Sequence, residues 1–488
     1  MMNKIEHDLI ISKSEKRKIK ILEIIAKSAK SVSCKYLANQ CKVTHKTISK
    51  DFFEIQENLG DKVKLYYIER DLHMKRIGDP IDIHKIIKKI VQNSVLVKLV
   101  YILFKENSIG FREFADQCFI SESTLRDKIK KFKSLLLTFK LNLNYNPIQI
   151  VGEEINARYF FFYFFHSSYS ELDDETEKGE QEVFNEMIQY GKKNHFNSLT
   201  IDKFRMENWL RIANVRISQK NLIEFDSKIK TKYLTSDGFE NLKDVVTTVD
   251  PTSQILQRNE NELLYIYLSA INSIVYNKQS NYFYNESFFD FTNYECVVTD
   301  FFKEMNFNYR DNLNLYTMLK SYLYNIEHLS AFSDIYQKKY ELNYKVIKLQ
   351  YSNIYETWRL LLKKQFDFKY YNEIAMSLTM MTAANVDYKM NLLLVLKGDS
   401  ILMEYLRKKI VSIIPKDYEV FLLINEPVTE EFVRQNNIQI CICNSVNVEF
   451  LDIEVIQISE LLLEKEINLL FQTLIKRLDN VVINEIDG

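Results

Sequence analysis

A multidomain, mainly α chain, with tandem winged helix-turn-helix domains at its N-terminal end and a small α/β domain at its C-terminal end, is what the sequence predicts. Three observations carry this. A helix-turn-helix pattern recurs 77 residues on, the middle of the chain is helical with few breakers, and residues 389–488 alternate short apolar runs with helical ones. The 488 residues exceed what one core serves, since domains usually hold about 100–200 residues. With 46% hydrophobic residues, 9 Gly and 5 Pro, the collagenous, low-complexity and disordered classes drop out.

The first winged helix is expected over residues 1–80. In residues 15–31, Ile19, Leu22, Ile25 and Ala26 make one apolar stripe, and Lys16, Arg17, Lys20 and Lys27 surround it. A second helix follows Ser33, and a third begins at Thr44 after the short break Lys42-Val43. The Thr44 hydroxyl suits a helix cap, and Ile48, Phe52 and Ile55 return at intervals of four and three to make a buried face. Lys62–Tyr67 and Leu72–Ile77, around the polar Glu69-Arg70-Asp71, predict the hairpin that forms the wing.

The second copy is expected over residues 81–154. Leu37, Ala38, Gln40, Cys41, Val43, Thr44, Thr47 and Ile48 correspond to Phe114, Ala115, Gln117, Cys118, Ile120, Ser121, Thr124 and Leu125. The small Ala lets two helices cross closely, Val or Ile fills the turn, and Thr or Ser caps the second helix. Leu125, Ile129 and Phe132 repeat the buried spacing, and Leu141–Tyr145 with Ile148–Val151 predict a second hairpin around Asn146-Pro147. A single such pattern is often a chance match, whereas two in tandem are specific.

Residues 155–275 and 276–388 read as two all-α modules, Glu262–Ser273 being faintly repeated by Asn372–Met381. Residues 171–186 hold eight acids and one Lys, the composition of a solvated loop. In the last domain, 389–488, Leu392–Leu396, Val420–Ile424, Ile438–Ile442 and Ile453–Ile458 predict strands, and 401–412 and 460–478 predict helices.

Charge divides the chain. Residues 1–140 carry 29 Lys+Arg against 17 Asp+Glu, a net +12, while the remainder is −13. A basic end on an acidic body points to a polyanion partner for that end. The first residues lack the apolar core of an export signal, and no apolar run approaches the ~20 residues that span a bilayer. Six cysteines without a CxxC pair argue against a disulfide framework or a zinc site, and Cys441 and Cys443 fall on one face of a strand as core residues. A reducing cytoplasm is the expected compartment. No phosphate loop, GxGxxG, HExxH or GxSxG occurs, so neither catalysis nor a cofactor is expected.

Candidate DNA contacts are the outward donors of each third helix, His45, Lys46, Ser49 and Lys50 in the first copy and Ser123, Arg126 and Lys130 in the second. Lys and Arg serve phosphate oxygens or guanine edges, and Ser serves either. His195, after Gly191-Lys192-Lys193-Asn194, and His328, between Glu327 and Leu329, stand in the helical middle. A phosphate-accepting histidine needs partial exposure and one free nitrogen; an isolated histidine is otherwise a surface or packing residue. The last helix carries Leu463, Ile467, Leu470, Leu474 and Leu478 toward the sheet. Leu462, Leu469 and Phe471 widen that stripe enough to suggest a homodimer through this domain.

This order of parts resembles the Mga/AtxA family of virulence regulators of low-GC Gram-positive bacteria over essentially the whole chain. Ile150-Val151-Gly152-Glu153, followed by Arg158-Tyr159-Phe160, is similar to that family's junction between the second helix-turn-helix and the first helical module. The resemblance implies an activator that binds double-stranded promoter DNA. It further implies regulation-domain-like helical modules phosphorylated on histidine by the phosphocarrier HPr, self-association through the C-terminal region, and an enzyme IIB-like last domain. In antiterminator-type regulation domains a Leu-Leu-x-His-Leu pattern holds the acceptor. The matching Met318-Leu319-Lys320-Ser321-Tyr322-Leu323 has Tyr322 in that place, which leaves His195 and His328 as regulatory phosphorylation candidates. The loop Lys397-Gly398-Asp399-Ser400 lacks the Cys of a phosphocarrier. An RNA-binding antiterminator is the alternative, disfavoured by paired winged helices and the lack of stacking aromatics on a sheet.

Overall fold

The computed structural model describes residues 4–28, 30–77, 79–166, 185–187, 189–191, 193–194, 201–249, 259–276, 292–305, 307–310, 312–338, 347–348, 351–386, 390–414, 418–436, 438–444, 453–459, 466, 470 and 474. The chain divides into two compact units, residues 1–293 with 320–341, and residues 294–319 with 342–488.

The first unit opens with α1 (Lys4–Leu9) and α2 (Lys13–Lys27), capped by the Ser12 hydroxyl. A short strand β1 (Val32–Ser33), α3 (Cys34–Gln40) and α4 (His45–Leu59) follow, and then the hairpin β2 (Val63–Ile68) and β3 (Asp71–Arg76). β3 pairs antiparallel with both β1 and β2, which stacks Val32, Leu65 and Met74 in one register. The hairpin turn is two residues, Glu69-Arg70, both at positive φ (48° and 66°), the geometry that matches the twist of paired strands.

After α5 (Pro80–Asn93) the pattern repeats. α6 (Val95–Glu106), α7 (Phe111–Gln117) and α8 (Glu122–Leu137) precede the hairpin β4 (Asn142–Tyr145) and β5 (Ile148–Val151). The chain then enters α9 (Glu154–Phe165), in which all residues from Ile155 to Phe165 are buried. A helix buried on every side belongs at the centre of a bundle. Around it lie α10 (Lys203–Ser218), α11 (Ser227–Leu234), α12 (Asp237–Val249) and α13 (Glu260–Asn272). Trp209 of α10 stacks on Phe162 of α9 at 3.8 Å. One continuous core runs from Ile5 through both helix-turn-helix copies and α9 to Tyr336.

The second unit holds α14 (Thr292–Glu304), the first turns of α15 (Leu313–Phe332), α16 (Ser352–Gln365) and α17 (Tyr371–Asn385). Trp358 of α16 stacks on Phe301 of α14 at 3.9 Å, repeating the Trp–Phe stack of the first unit. A four-stranded parallel sheet follows, with β6 (Met390–Leu396), α18 (Ser400–Val411), β7 (Tyr418–Ile424), α19 (Glu430–Gln435), β8 (Ile440–Cys443) and β9 (Glu454–Gln457) in spatial order β7-β6-β8-β9. One face packs Leu392, Leu394 and Ile442 against Met403, Leu406, Leu470 and Leu474. The other packs Leu393, Val395, Cys441 and Cys443 against Val433. Both cysteines are thus core residues. Of the stripe expected on the last helix, Leu470 and Leu474 are buried; Leu462, Leu463, Ile467, Leu469, Phe471 and Leu478 lie outside the described residues. No helix among the described residues is long and apolar enough to cross a membrane.

Candidate nucleic-acid interface

Each helix-turn-helix is built by the same local chemistry. Thr44 accepts a hydrogen bond from the Thr47 amide at 3.3 Å, and Ser121 accepts one from the Thr124 amide at 3.2 Å. Before each cap one residue takes a positive φ, Lys42 at 52° and Phe119 at 54°. The next amide then reaches back to the preceding helix, Val43 N to Ala38 O at 3.0 Å and Ile120 N to Ala115 O at 3.1 Å. Ile48, Phe52 and Ile55 of α4, and Leu125, Ile129 and Phe132 of α8, face the core, so the opposite faces are turned outward.

Lys46 is exposed, and Lys50 is exposed with Glu54 3.7 Å away. Ser123 is exposed and its Oγ is 2.9 Å from that of the capping Ser121. Arg126 is exposed with its guanidinium 5.4 Å over the Phe111 ring, and Lys130 is exposed 3.0 Å from Asp127. His45 and Ser49 are differently placed. The His45 Nε2 lies 3.0 Å from Asp71 Oδ1 in the hairpin, and its Nδ1 lies 3.4 Å from Ser49 Oγ. Ser49 is half-buried, with its Oγ also 3.4 Å from the Cys34 Sγ. Ser49 therefore faces its own fold, whereas His45 stays exposed while leaning on the hairpin.

Sequence reasoning passed over the hairpins as sources of charge. The first exposes Lys64, Arg70 and Lys75, whereas the second exposes Asn142, Asn144 and Asn146 and contains no Lys or Arg. The alternation of strand residues was the signal that could have found them.

His195 and its neighbour Lys192 lie outside the described residues. His328 sits on α15 with its ring stacked on Tyr324 at 3.8 Å and edge-on to Tyr233 at 5.6 Å. Its Nδ1 is 2.8 Å from the Tyr324 carbonyl oxygen; a carbonyl only accepts, so Nδ1 carries the hydrogen and Nε2 the lone pair. Burial pushes its pKa below the ordinary histidine value against the hydrogen bond to the Tyr324 carbonyl, with Lys232 adding to the lowering and Glu327 opposing it.

The second copy is bolted to the helical module beneath it. Arg158 of α9, fully buried, donates to both oxygens of Glu262 at 2.6 and 2.9 Å and to the Asn221 carbonyl at 3.0 Å. Glu154 bridges Arg158 at 3.1 Å and Arg216 at 2.8 Å, and Arg216 reaches Asn107 at 3.1 Å. Gln219 donates to the carbonyls of Phe104 and Lys105 at 2.7 and 2.9 Å, closing the end of α6.

Comparison with known proteins adds an independent line. Residues 79–165 match the model of the Mga helix-turn-helix domain. The chain is similar to a candidate trans-acting regulator of Streptococcus pneumoniae serotype 4, with 20% identity over 219 residues, 44% of each chain. It is also similar to the capsule synthesis positive regulator AcpB of Bacillus anthracis, with 24% identity over 182 residues, 36% of each chain. The match thus spans less than half the length of either relative.

Proposed function

We propose, on the premise that this chain is a Mga/AtxA-like regulator, that it is a transcriptional activator that binds duplex promoter DNA through α4 and α8. The observation that carries the reading is the repeated geometry: two capped helices, 77 residues apart, each turning lysine or arginine outward within the basic part of the chain. Helices so presented suit major grooves, and the hairpins beside them suit the flanking backbone. Lys46, Lys50, Arg126 and Lys130 are the principal contacts, Ser123 and the exposed His45 shorter-range ones, and Ser49 supports α4 from behind. The two helical modules act as regulation domains, the α/β domain as an enzyme IIB-like dimerisation element, and the protein works in the cytoplasm.

Arg126→Ala with Lys130→Ala is the direct test, read by fluorescence anisotropy of labelled promoter duplex across salt concentrations. Losing two phosphate contacts lowers the salt slope by about two units. Circular dichroism stays as in wild type, because neither residue is on the buried face. Unchanged affinity and slope would remove α8 from the interface.

His328 is the regulatory residue this reading favours, with His195 as the second acceptor. Nε2 carries the lone pair that a phosphoryl transfer from HPr requires, and burial favours the neutral ring. α15 leads on to Ser333, which donates to Asn156 at 2.7 Å, to Asp334, 2.6 Å from Lys140, and to Lys338, which donates to the Thr138 carbonyl at 2.7 Å. Thr138 is the C-cap of α8. A phosphoryl group adds nearly two negative charges, enough to repack this short segment against the end of the second recognition helix. Incubation with HPr, enzyme I and phosphoenolpyruvate labels wild type, and His328→Ala with His195→Ala removes the acid-labile phosphate. Equal labelling of the double variant rejects the assignment.

A further inference from the structure

We propose that Cys34, His45 and Asp71 bind a divalent transition-metal ion of the zinc class, which clasps the first recognition helix to its hairpin. Each residue is the first of its element: Cys34 of α3, His45 of α4 and Asp71 of β3. One ligand atom from each lies within 4.8 Å of the others. Thiolate, imidazole and carboxylate together are a zinc or cobalt donor set, and bonds of about 2.0–2.3 Å put tetrahedral ligand atoms about 3.3–3.8 Å apart. Closing onto an ion therefore takes side-chain shifts of about 1 Å.

The surroundings already orient these atoms. Ser49 Oγ faces the His45 Nδ1, which leaves Nε2 aimed at the carboxylate. His73 repeats the arrangement, with its Nδ1 3.3 Å from Ser31 Oγ and its Nε2 3.9 Å from Asp71 Oδ2. The Lys35 amide donates to Asp71 Oδ1 at 3.2 Å. Such outer hydrogen bonds fix tautomer and ring direction at metal sites. Three protein ligands leave a fourth position for water, reached from the side where His45 is half exposed.

A nucleophilic role for Cys34 fits less well. Its side chain is fully buried, its Sγ donates to the His45 carbonyl at 3.3 Å, and burial pushes the thiol pKa up. Metal binding replaces the thiol proton, which passes to solvent as the sulfur–metal bond forms. The ion brings two positive charges and one proton leaves, so the site becomes more positive by one charge beside Lys46 and Arg70. A firmer hairpin and a less negative surface both favour phosphate; that consequence rests on the DNA-binding reading, whereas metal binding itself does not.

The full chain, stripped with chelator and kept reduced, is titrated with Co²⁺ alone. One equivalent is expected to give the visible bands of tetrahedral cobalt and a near-ultraviolet thiolate charge-transfer band. Cys34→Ser abolishes the charge-transfer band, His45→Gln and Asp71→Asn weaken binding by well over tenfold, and His73→Gln weakens it about tenfold. Cys118→Ser, at the second-copy position that corresponds to Cys41, leaves the spectrum unchanged. If Cys34→Ser fails to fold by circular dichroism, the surface variants His45→Gln and Asp71→Asn carry the test. A wild type without the charge-transfer band, or surface variants that bind as tightly as wild type, overturns the site. A chain that binds Co²⁺ with these signatures but no promoter duplex keeps the site and defeats the DNA reading.

Discussion

The two helix-turn-helix copies share their local chemistry and differ in nearly everything attached to it. Cap, positive-φ turn residue and back-reaching amide recur at the same offset with nearly the same distances. The first copy, however, ends in a hairpin of six-residue strands carrying Lys64, Arg70 and Lys75, with the Cys34, His45 and Asp71 cluster at its base. The second ends in four-residue strands bearing asparagines, and leads at once into a fully buried helix tied down by Arg158 and Arg216. Local sequence thus makes the motif twice in different surroundings, and in the DNA-binding reading proposed above the first copy reaches for polyanion while the second joins DNA contact to the helical module.

The strongest way to break that division is to cut the anchor. Glu262→Ala leaves Arg158 buried without its main counter-ion, which typically costs about 3–5 kcal/mol. The first copy has its own ion pair, Arg17 to Asp51, with Arg17 partly exposed. Asp51→Asn lets that guanidinium turn to solvent, at about 1.5–3 kcal/mol. Denaturant midpoints of the two variants are the measurement. Equal losses would show that the helical module to which the second copy is tied is no more firmly held than the first copy.

Next in size is the contrast between hairpins. Lys64→Ala, Arg70→Ala and Lys75→Ala together lower the salt slope of DNA binding by about three units if each neutralises a phosphate, at ~0.9 per contact. Asn142→Ala with Asn144→Ala leaves the slope unchanged, since neutral amides release no counter-ions. A slope that moves equally for both sets would merge the two tasks into one.

Caps sharpen the comparison from the other side. Thr44→Ala and Ser121→Ala each remove one hydroxyl bonded to one amide, costing about 1 kcal/mol apiece. Similar costs by chemical unfolding confirm that the motif is made locally. A cost confined to one copy would mean that tertiary packing holds the other helix start.

This locality explains what the sequence could reveal. Thr44, Ser121, Ala38, Ala115 and the apolar faces of α4 and α8 act within a few residues of themselves, so their spacing was legible. So were the strands of the α/β domain, whose apolar runs match β6 to β9. Arg158 and Glu262 meet across 104 residues, and no local pattern announces the pair. Cys34, His45 and Asp71 come from three elements without the CxxC spacing that marks a zinc site, so reading cysteine spacing set metal aside. Glu207-Asn208-Trp209 and Glu356-Thr357-Trp358 lead into matching Trp–Phe stacks, a repeat of the helical modules visible in the sequence yet outweighed by the stronger one at the N-terminal end.

The smallest expected effect concerns pH and is read on the anchored side. His328 prefers to be neutral in the fold, because burial between Tyr324 and Tyr233 penalises its charge, so its folded pKa lies below the unfolded value of 6.5. The unfolded chain then binds more protons as pH falls below that value. Stability from this residue is complete above about pH 6.5 and declines as pH drops toward the folded pKa. His328→Asn keeps a donor for the Tyr324 carbonyl but cannot titrate. Unfolding midpoints measured from pH 5 to 7.5 should fall more steeply for wild type than for this variant, with the curves parallel above pH 7. Identical slopes would mean that His328 is solvated in both states. The α15 segment leading to Thr138 would then carry no titratable switch toward the second recognition helix, and the distinction between a reaching copy and a regulated copy would rest on the ion-pair anchor alone.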